Sequence, residues 1–257
     1  MPRSRTIALL TTGLAGAAGL AGCGGGGSPA RLDVSALKQT AQTTEAAGGA
    51  RMTFSAHLAW QTLRGAGVLD MKHDAYSMSV QLGALGKSQV VLMGKKLYVT
   101  LPPSVRKGAL AGKRWGVVDL AKAAKARGSD LSQLAPSTAP GSILEQLRAV
   151  GDVKRVGTAT VRGVPTTHFH ATVDLHKAAA LLPPARRAQM QPQIDQLVLQ
   201  AGQSTVPVEA WVDGQKRLRR ESVTLGNLGT MRLDLYDFGE QRRVVAPPAD
   251  QVANLGQ

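Results

Sequence analysis

The chain has 257 residues, 43% of them hydrophobic and only 4% aromatic, and a formal charge of +14 at neutral pH. That hydrophobic content makes a real core possible, and the length suffices for one large domain or two small ones. Cys23 is the single cysteine, so no disulfide can form within the chain, and a folded domain must rest on its core and hydrogen bonds.

The chain opens with Arg3 and Arg5, followed by an apolar run from Ile7 to Leu20 and the sequence Leu20-Ala21-Gly22-Cys23. The run is too short and too rich in Gly and Ala to span a bilayer stably, and no later segment approaches the 18 unbroken apolar residues of a spanning helix. The stretch resembles a bacterial lipoprotein signal, with Leu20, Ala21 and Gly22 as the recognition residues for the signal peptidase. That resemblance implies that residues 1–22 are a cleaved signal peptide. It also implies that Cys23 receives a diacylglyceryl thioether, gains fatty acyl chains such as palmitate and becomes the mature N-terminus. Two or more acyl chains make such an attachment lasting, which places the protein on the outer face of the cytoplasmic membrane. Residues 23–32 then form a lipidated, Gly-rich tether. The eight residues from Gly24 to Arg31 reach roughly 16 Å as a random coil, and no Gly-Lys-Ser/Thr follows the glycines to make a phosphate loop.

Removing Arg3 and Arg5 with the signal leaves 29 of the 31 basic residues against 17 acidic ones. The excess suits anionic headgroups or acidic wall polymers. It equally suits a chain whose composition is simply rich in Arg, because Arg186-Arg187, Arg219-Arg220 and Arg242-Arg243 are scattered. No basic motif interleaved with aromatics marks a nucleic-acid partner.

Residues 33–257 are expected to form a single domain. Asp33 to Ala47 is helix-prone, with Asp33 or Ser35 as N-cap and Gly48-Gly49 as the stop. Met52, Phe54, Ala56, Leu58 and Trp60 then alternate with smaller or polar residues, the pattern of a half-buried strand. Further strands are expected at Gly65 to His73, with Leu69 and Met71 on one face, and at Tyr76 to Leu82, with Met78 and Val80 on one face. Val90 to Met93 and Leu97 to Leu101 flank a Gly94-Lys95 turn. The middle predicts a helix at Asp119 to Arg127, a Pro-rich loop around 136–140 and a helix at Ser142 to Ala149. Strands resume at Val153 to Val161 and Val164 to Val173. A helical region follows from Leu175 to Ala201, broken by Pro183-Pro184 and by Pro192. Three strands close the chain at Val206 to Val212, Arg217 to Leu225 and Gly229 to Phe238, and Pro247-Pro248 is expected to end regular structure. The sum is an α+β fold: a strongly curved antiparallel sheet of about ten strands, an incomplete barrel, with helices packed on its concave face.

Catalytic constellations are missing. There is no Gly-x-Ser-x-Gly elbow and no His-Glu-x-x-His pair, and a lipidated Cys23 cannot act as a nucleophile, so no enzyme and no cofactor is expected. His168 and His170 point to one face of a strand as metal ligands do. The residues sharing that face locally are Thr166 and Thr172, the composition of a polar surface, so no metal is expected. Trp115 and Trp211 suit the core, the rim of a cavity or the membrane interface, with core or rim packing expected.

Two stretches carry a resemblance over nearly the whole mature chain. One is Val156-Gly157-Thr158 through Arg162-Gly163-Val164-Pro165-Thr166-Thr167-His168-Phe169 to Val173-Asp174-Leu175. The other is Val206-Pro207-Val208-Glu209-Ala210-Trp211-Val212-Asp213-Gly214 followed by Arg217-Leu218-Arg219-Arg220. They resemble paired hairpins of the actinobacterial LppX/LprG-type lipoproteins, which share the half-barrel of the LolA/LolB carriers, with Phe169 where Tyr is common. The resemblance implies a LolA-like domain whose cavity holds an acylated lipid or a similar hydrophobic ligand in the cell envelope. Related half-barrels also serve as envelope sensors or adaptors without a transport role. On the carrier reading the apolar strand faces line the cavity, and the expected lining is Met52, Phe54, Leu58, Trp60, Leu69, Met71, Met78, Val80, Met231, Leu233 and Leu235. Flexible thioethers suit varied apolar partners.

Overall fold

A computed structural model describes residues 34–83, 86–103, 106, 108, 110–126, 153–180, 184–239 and 243–255. The expected signal peptide with Leu20, Ala21 and Gly22, the Cys23 tether, the loop at 136–140 and the helix at 142–149 lie outside the described residues.

Helix α1 (Val34–Ala46) opens the domain; its start places Ser35 inside the first turn. Strands β1 (Gly49–Leu58), β2 (Gln61–Asp70), β3 (Ala75–Gln81), β4 (Lys87–Met93), β5 (Lys96–Thr100) and β6 (Trp115–Asp119) follow, and then helix α2 (Leu120–Ala126). Asp119 begins α2 as its composition suggests, its Oδ1 accepting the Lys122 N–H at 3.0 Å. Strands β7 (Lys154–Val161) and β8 (Val164–Asp174) lead into helices α3 (Leu175–Ala180) and α4 (Pro184–Ala201). Strands β9 (Thr205–Asp213), β10 (Leu218–Thr224), β11 (Gly229–Tyr236) and β12 (Val252–Asn254) complete the chain.

All twelve strands join one curved, unclosed sheet in the order β12-β6-β5-β4-β3-β2-β1-β11-β10-β9-β8-β7. Every pairing is antiparallel except β12 with β6. The expectation of about ten strands is corrected to twelve, because β6 and β12 escape the periodicity. β6 is a five-residue strand, Trp115-Gly116-Val117-Val118-Asp119, without clear alternation. β12 has three residues and lies beyond Pro247-Pro248, so those prolines do not end regular structure. Nor does Pro192 break α4, which runs through it. A proline inside a helix forfeits a backbone hydrogen bond. Here Ile194, Leu197, Val198 and Ala201 keep an inward stripe at helical spacing, which holds the helix on course.

Strand register sorts the side chains into two faces. Met52 opposes Leu235 and Phe54 opposes Leu233 across β1–β11, while Leu69 opposes Tyr76 across β2–β3. Their face carries the main core, in which Met52, Leu69, Ala171, Val206, Val208, Ala210, Leu218 and Leu235 are buried. Leu175, at the head of α3, packs into it. Helix α1 is tied to β10 by Thr44, whose Oγ1 accepts the Leu218 N–H at 2.9 Å. The opposite face is polar over β8 to β11. Over β3 to β6 it holds a second core of Ala75, Val91, Trp115 and Val244. The C-terminal segment lies across that second core: the Val244 N–H reaches Asp70 Oδ2 at 3.3 Å, and the Leu255 N–H reaches the Val117 carbonyl at 2.9 Å.

Candidate functional site

Nine of the residues expected to line a cavity stand on the main apolar face: Met52, Phe54, Leu58, Leu69, Met78, Val80, Met231, Leu233 and Leu235. Alternation with a period of two put them there. Their burial divides them. Met52, Leu69, Val80 and Leu235 are buried, whereas Phe54, Leu58, Met78, Met231 and Leu233 are half-buried and leave apolar surface uncovered. Met71 lies just past β2, half-buried against the main core. Trp60 stands apart: β1 ends at Leu58, and Trp60 sits in the β1–β2 turn, 66% exposed.

In β2, Gly65 and Gly67 face Phe54 and Met52. A Cβ on Gly67 would collide with the Ser77 carbonyl and the Met78 backbone, and the Met78 thioether lies over Gly65. The glycines let β3 approach closely and bring Met78 onto the apolar face.

One row across the sheet runs Val80, Gly65, Phe54, Leu233, Glu221, Ala210, Phe169, Arg155. Arg155, at the β7 end, is exposed; Glu221 is the only buried ionisable residue of these eight and escapes the sequence pattern. It is 3% exposed, and neither carboxyl oxygen has a hydrogen-bond partner among the described residues. Burial pushes its pKa up to about 8, so the carboxyl is mostly protonated at neutral pH. A signal was present in the sequence, since Glu221 has the same parity as Val223 and Leu225. A bulge between Leu218 and Arg220 masks it by shifting the alternation.

The polar face carries a set of fixed ion pairs. Arg220 holds Asp234 through two bonds, Nε to Oδ1 at 2.6 Å and Nη2 to Oδ2 at 2.7 Å. Arg219 and Arg217 both meet Asp213 Oδ2, at 2.7 and 3.0 Å. Burial raises the pKa of Asp213 and Asp234, and the arginine hydrogen bonds more than offset it, leaving both below the ordinary carboxylate value. His168 and His170 find a carboxylate on the neighbouring strand that their local sequence lacks. Glu209 of β9 lies 2.5 Å from His168 Nε2 and 2.6 Å from His170 Nδ1. The His168 ring also stacks on Trp211, with centroids 4.3 Å apart. Both histidines thus bond Glu209, and among the described residues no cluster has the arrangement of a metal site. Trp115 is buried in the second core.

The fold is shared with solved structures. Mycobacterium tuberculosis lipoprotein LppX superposes with a TM-score of 0.53 at 16% identity, covering 82% of this chain and 97% of its own. LprF from Mycobacterium bovis gives a TM-score of 0.51 at 12% identity, covering 86% and 99%. An uncharacterised 31.2 kDa protein of Streptomyces griseus is 28% identical over 182 residues, 68% of this chain. The alignment spans 59% of that relative's length. No family model matches. The chain therefore has the LppX-type α+β half-barrel fold that its hairpin motifs resemble. No helix among the described residues is long and apolar enough to cross a membrane.

Proposed function

We propose that this chain is a membrane-anchored lipoprotein that binds an acylated lipid on the apolar face of its sheet, as a non-catalytic carrier in the cell envelope. The supporting observation is the half-buried group Phe54, Leu58, Met231 and Leu233 on an unclosed sheet. Each methylene covered there is worth about 0.8 kcal/mol, so a 16-carbon chain gains roughly 13 kcal/mol by leaving water. The fold shared with LppX, itself named a lipoprotein, agrees with this reading. Lipidation at Cys23 and the short tether would hold the apolar face near a bilayer. The net positive charge would favour anionic headgroups or wall polymers there.

The test is to purify the protein from its native host, extract it and identify bound lipid by mass spectrometry. A reproducible, stoichiometric acyl lipid is expected. A clean extract, together with no binding of labelled acyl lipids, sinks the reading and leaves an adaptor with a closed core. In Leu58→Asp the charge should cut loading at least tenfold with the thermal transition preserved. Loss of the fold would instead mark Leu58 as a packing residue.

A further inference from the structure

Glu221 occupies a position that packing alone does not explain. Its neighbours on the same face, Leu218 and Val223 along β10, Leu233 on β11 and Ala210 on β9, are all hydrocarbon. A carboxyl buried without a partner is costly, and native structures seldom keep one without a use. Here both oxygens are unpartnered among the described residues.

The surroundings narrow what partner would fit. The two cations beside it on β10 are committed elsewhere, Arg219 to Asp213 and Arg220 to Asp234. The cation of the row, Arg155, stands exposed on β7, three strands from Glu221, so an anionic headgroup beside Glu221 would meet no positive charge next to it. A neutral carboxyl has one O–H to donate, and a neutral acceptor satisfies it without importing charge. The position is also a boundary. On one side Leu218, Val208 and Ala210 are fully packed, and on the other Phe54, Leu233 and Met231 are partly uncovered. A ligand lying on the uncovered part would bring the polar end of a hydrocarbon chain to Glu221.

We propose that Glu221 is the polar anchor of the apolar face, donating its carboxyl proton to the ester carbonyl of an acyl-ester lipid whose chain lies along Phe54 and Leu233. The proposal rests on the acyl-lipid reading above. It adds a selectivity for neutral acyl esters over plain hydrocarbon, over fatty-acid anions and over amines.

The experiment uses the full chain in dodecyl maltoside, with methyl palmitate, hexadecane and hexadecylamine competing against a pyrene-labelled alkane. Wild type should bind methyl palmitate about tenfold more tightly than hexadecane, the effect of one buried hydrogen bond. Its bound ester carbonyl stretch should move to lower frequency. Glu221→Leu should bind hexadecane as before, lose the ester preference to within twofold and abolish the shift. Glu221→Gln, whose amide can donate, should keep part of both. Should Glu221→Leu fail to fold, the carbonyl stretch in wild type and Glu221→Gln decides. An ester preference that survives in Glu221→Leu, an unshifted carbonyl, or a preference for hexadecylamine overturns the anchor. Hexadecane binding without any ester preference in wild type overturns the anchor alone, while binding of neither overturns the lipid reading with it.

Discussion

A carboxyl kept neutral inside an apolar face ties stability to pH in a direction opposite to that of the paired aspartates. Unfolded, Glu221 ionises near its ordinary value of 4.5; folded, it does so near 8. Between the two the unfolded chain holds fewer protons than the folded one. Stability therefore falls as pH rises, by up to about 1.4 kcal/mol per unit, and this contribution levels off above pH 8. Urea titrations at pH 5 and pH 7.5 should show a drop on the order of 3 kcal/mol in wild type, and Glu221→Gln should remove most of it. Asp213 and Asp234 act with the reverse sign. Their lowered values give stability that is present above the ordinary aspartate range and lost as the solution becomes more acidic. At this scale the sequence was half legible. Phe54 and Leu233 announce themselves by alternation. Glu221 is hidden by a one-residue bulge, and Glu209 by lying one strand away from the histidines it joins.

Among the elements, two junctions show how the apolar face is held. Thr44 accepts the Leu218 N–H at the bulge while giving its own proton to the Thr40 carbonyl at 2.6 Å. Thr44→Val keeps the shape and removes the acceptor. It should cost about 1–3 kcal/mol in thermal or urea melts, the penalty of an unsatisfied buried donor. Gly67→Ala is expected to be at least as damaging, because the methyl meets backbone of β3 that cannot step aside. A loss of about 1–3 kcal/mol should appear, with amide exchange accelerated in β2 and β3. A variant as stable as wild type would show that the β2–β3 spacing is adjustable. The strands with clean alternation, β1, β3 and β11, were readable from residues alone. β6 was not, because it is short and lacks alternation. β12 was not, because its partner is distant in sequence and its pairing parallel, so no local turn announces it.

For the whole molecule, the proposed Cys23 lipidation and the sheet make separable predictions. Cys23→Ser should shift the protein from the membrane fraction to the soluble envelope fraction and abolish metabolic labelling by palmitate, with the circular dichroism of the domain unchanged. Persistent membrane association would assign the attachment to some other part of the chain. The half-barrel itself was legible because its hairpin turns are local, at Arg162-Gly163 and Asp213-Gly214. The way its two halves meet was not. β1, near the beginning of the domain, is zipped to β11, near its end, and the last strand returns to pair with β6. Hairpins such as β7–β8 can close as soon as their residues emerge, but the centre of the sheet must wait for nearly all of the chain. Such long-range closure makes folding slow, on the order of milliseconds to seconds. Delay of that kind keeps a newly made chain threadable; if the chain is exported as proposed, the topology that builds the apolar face would also leave time for passage through a narrow pore before that face exists.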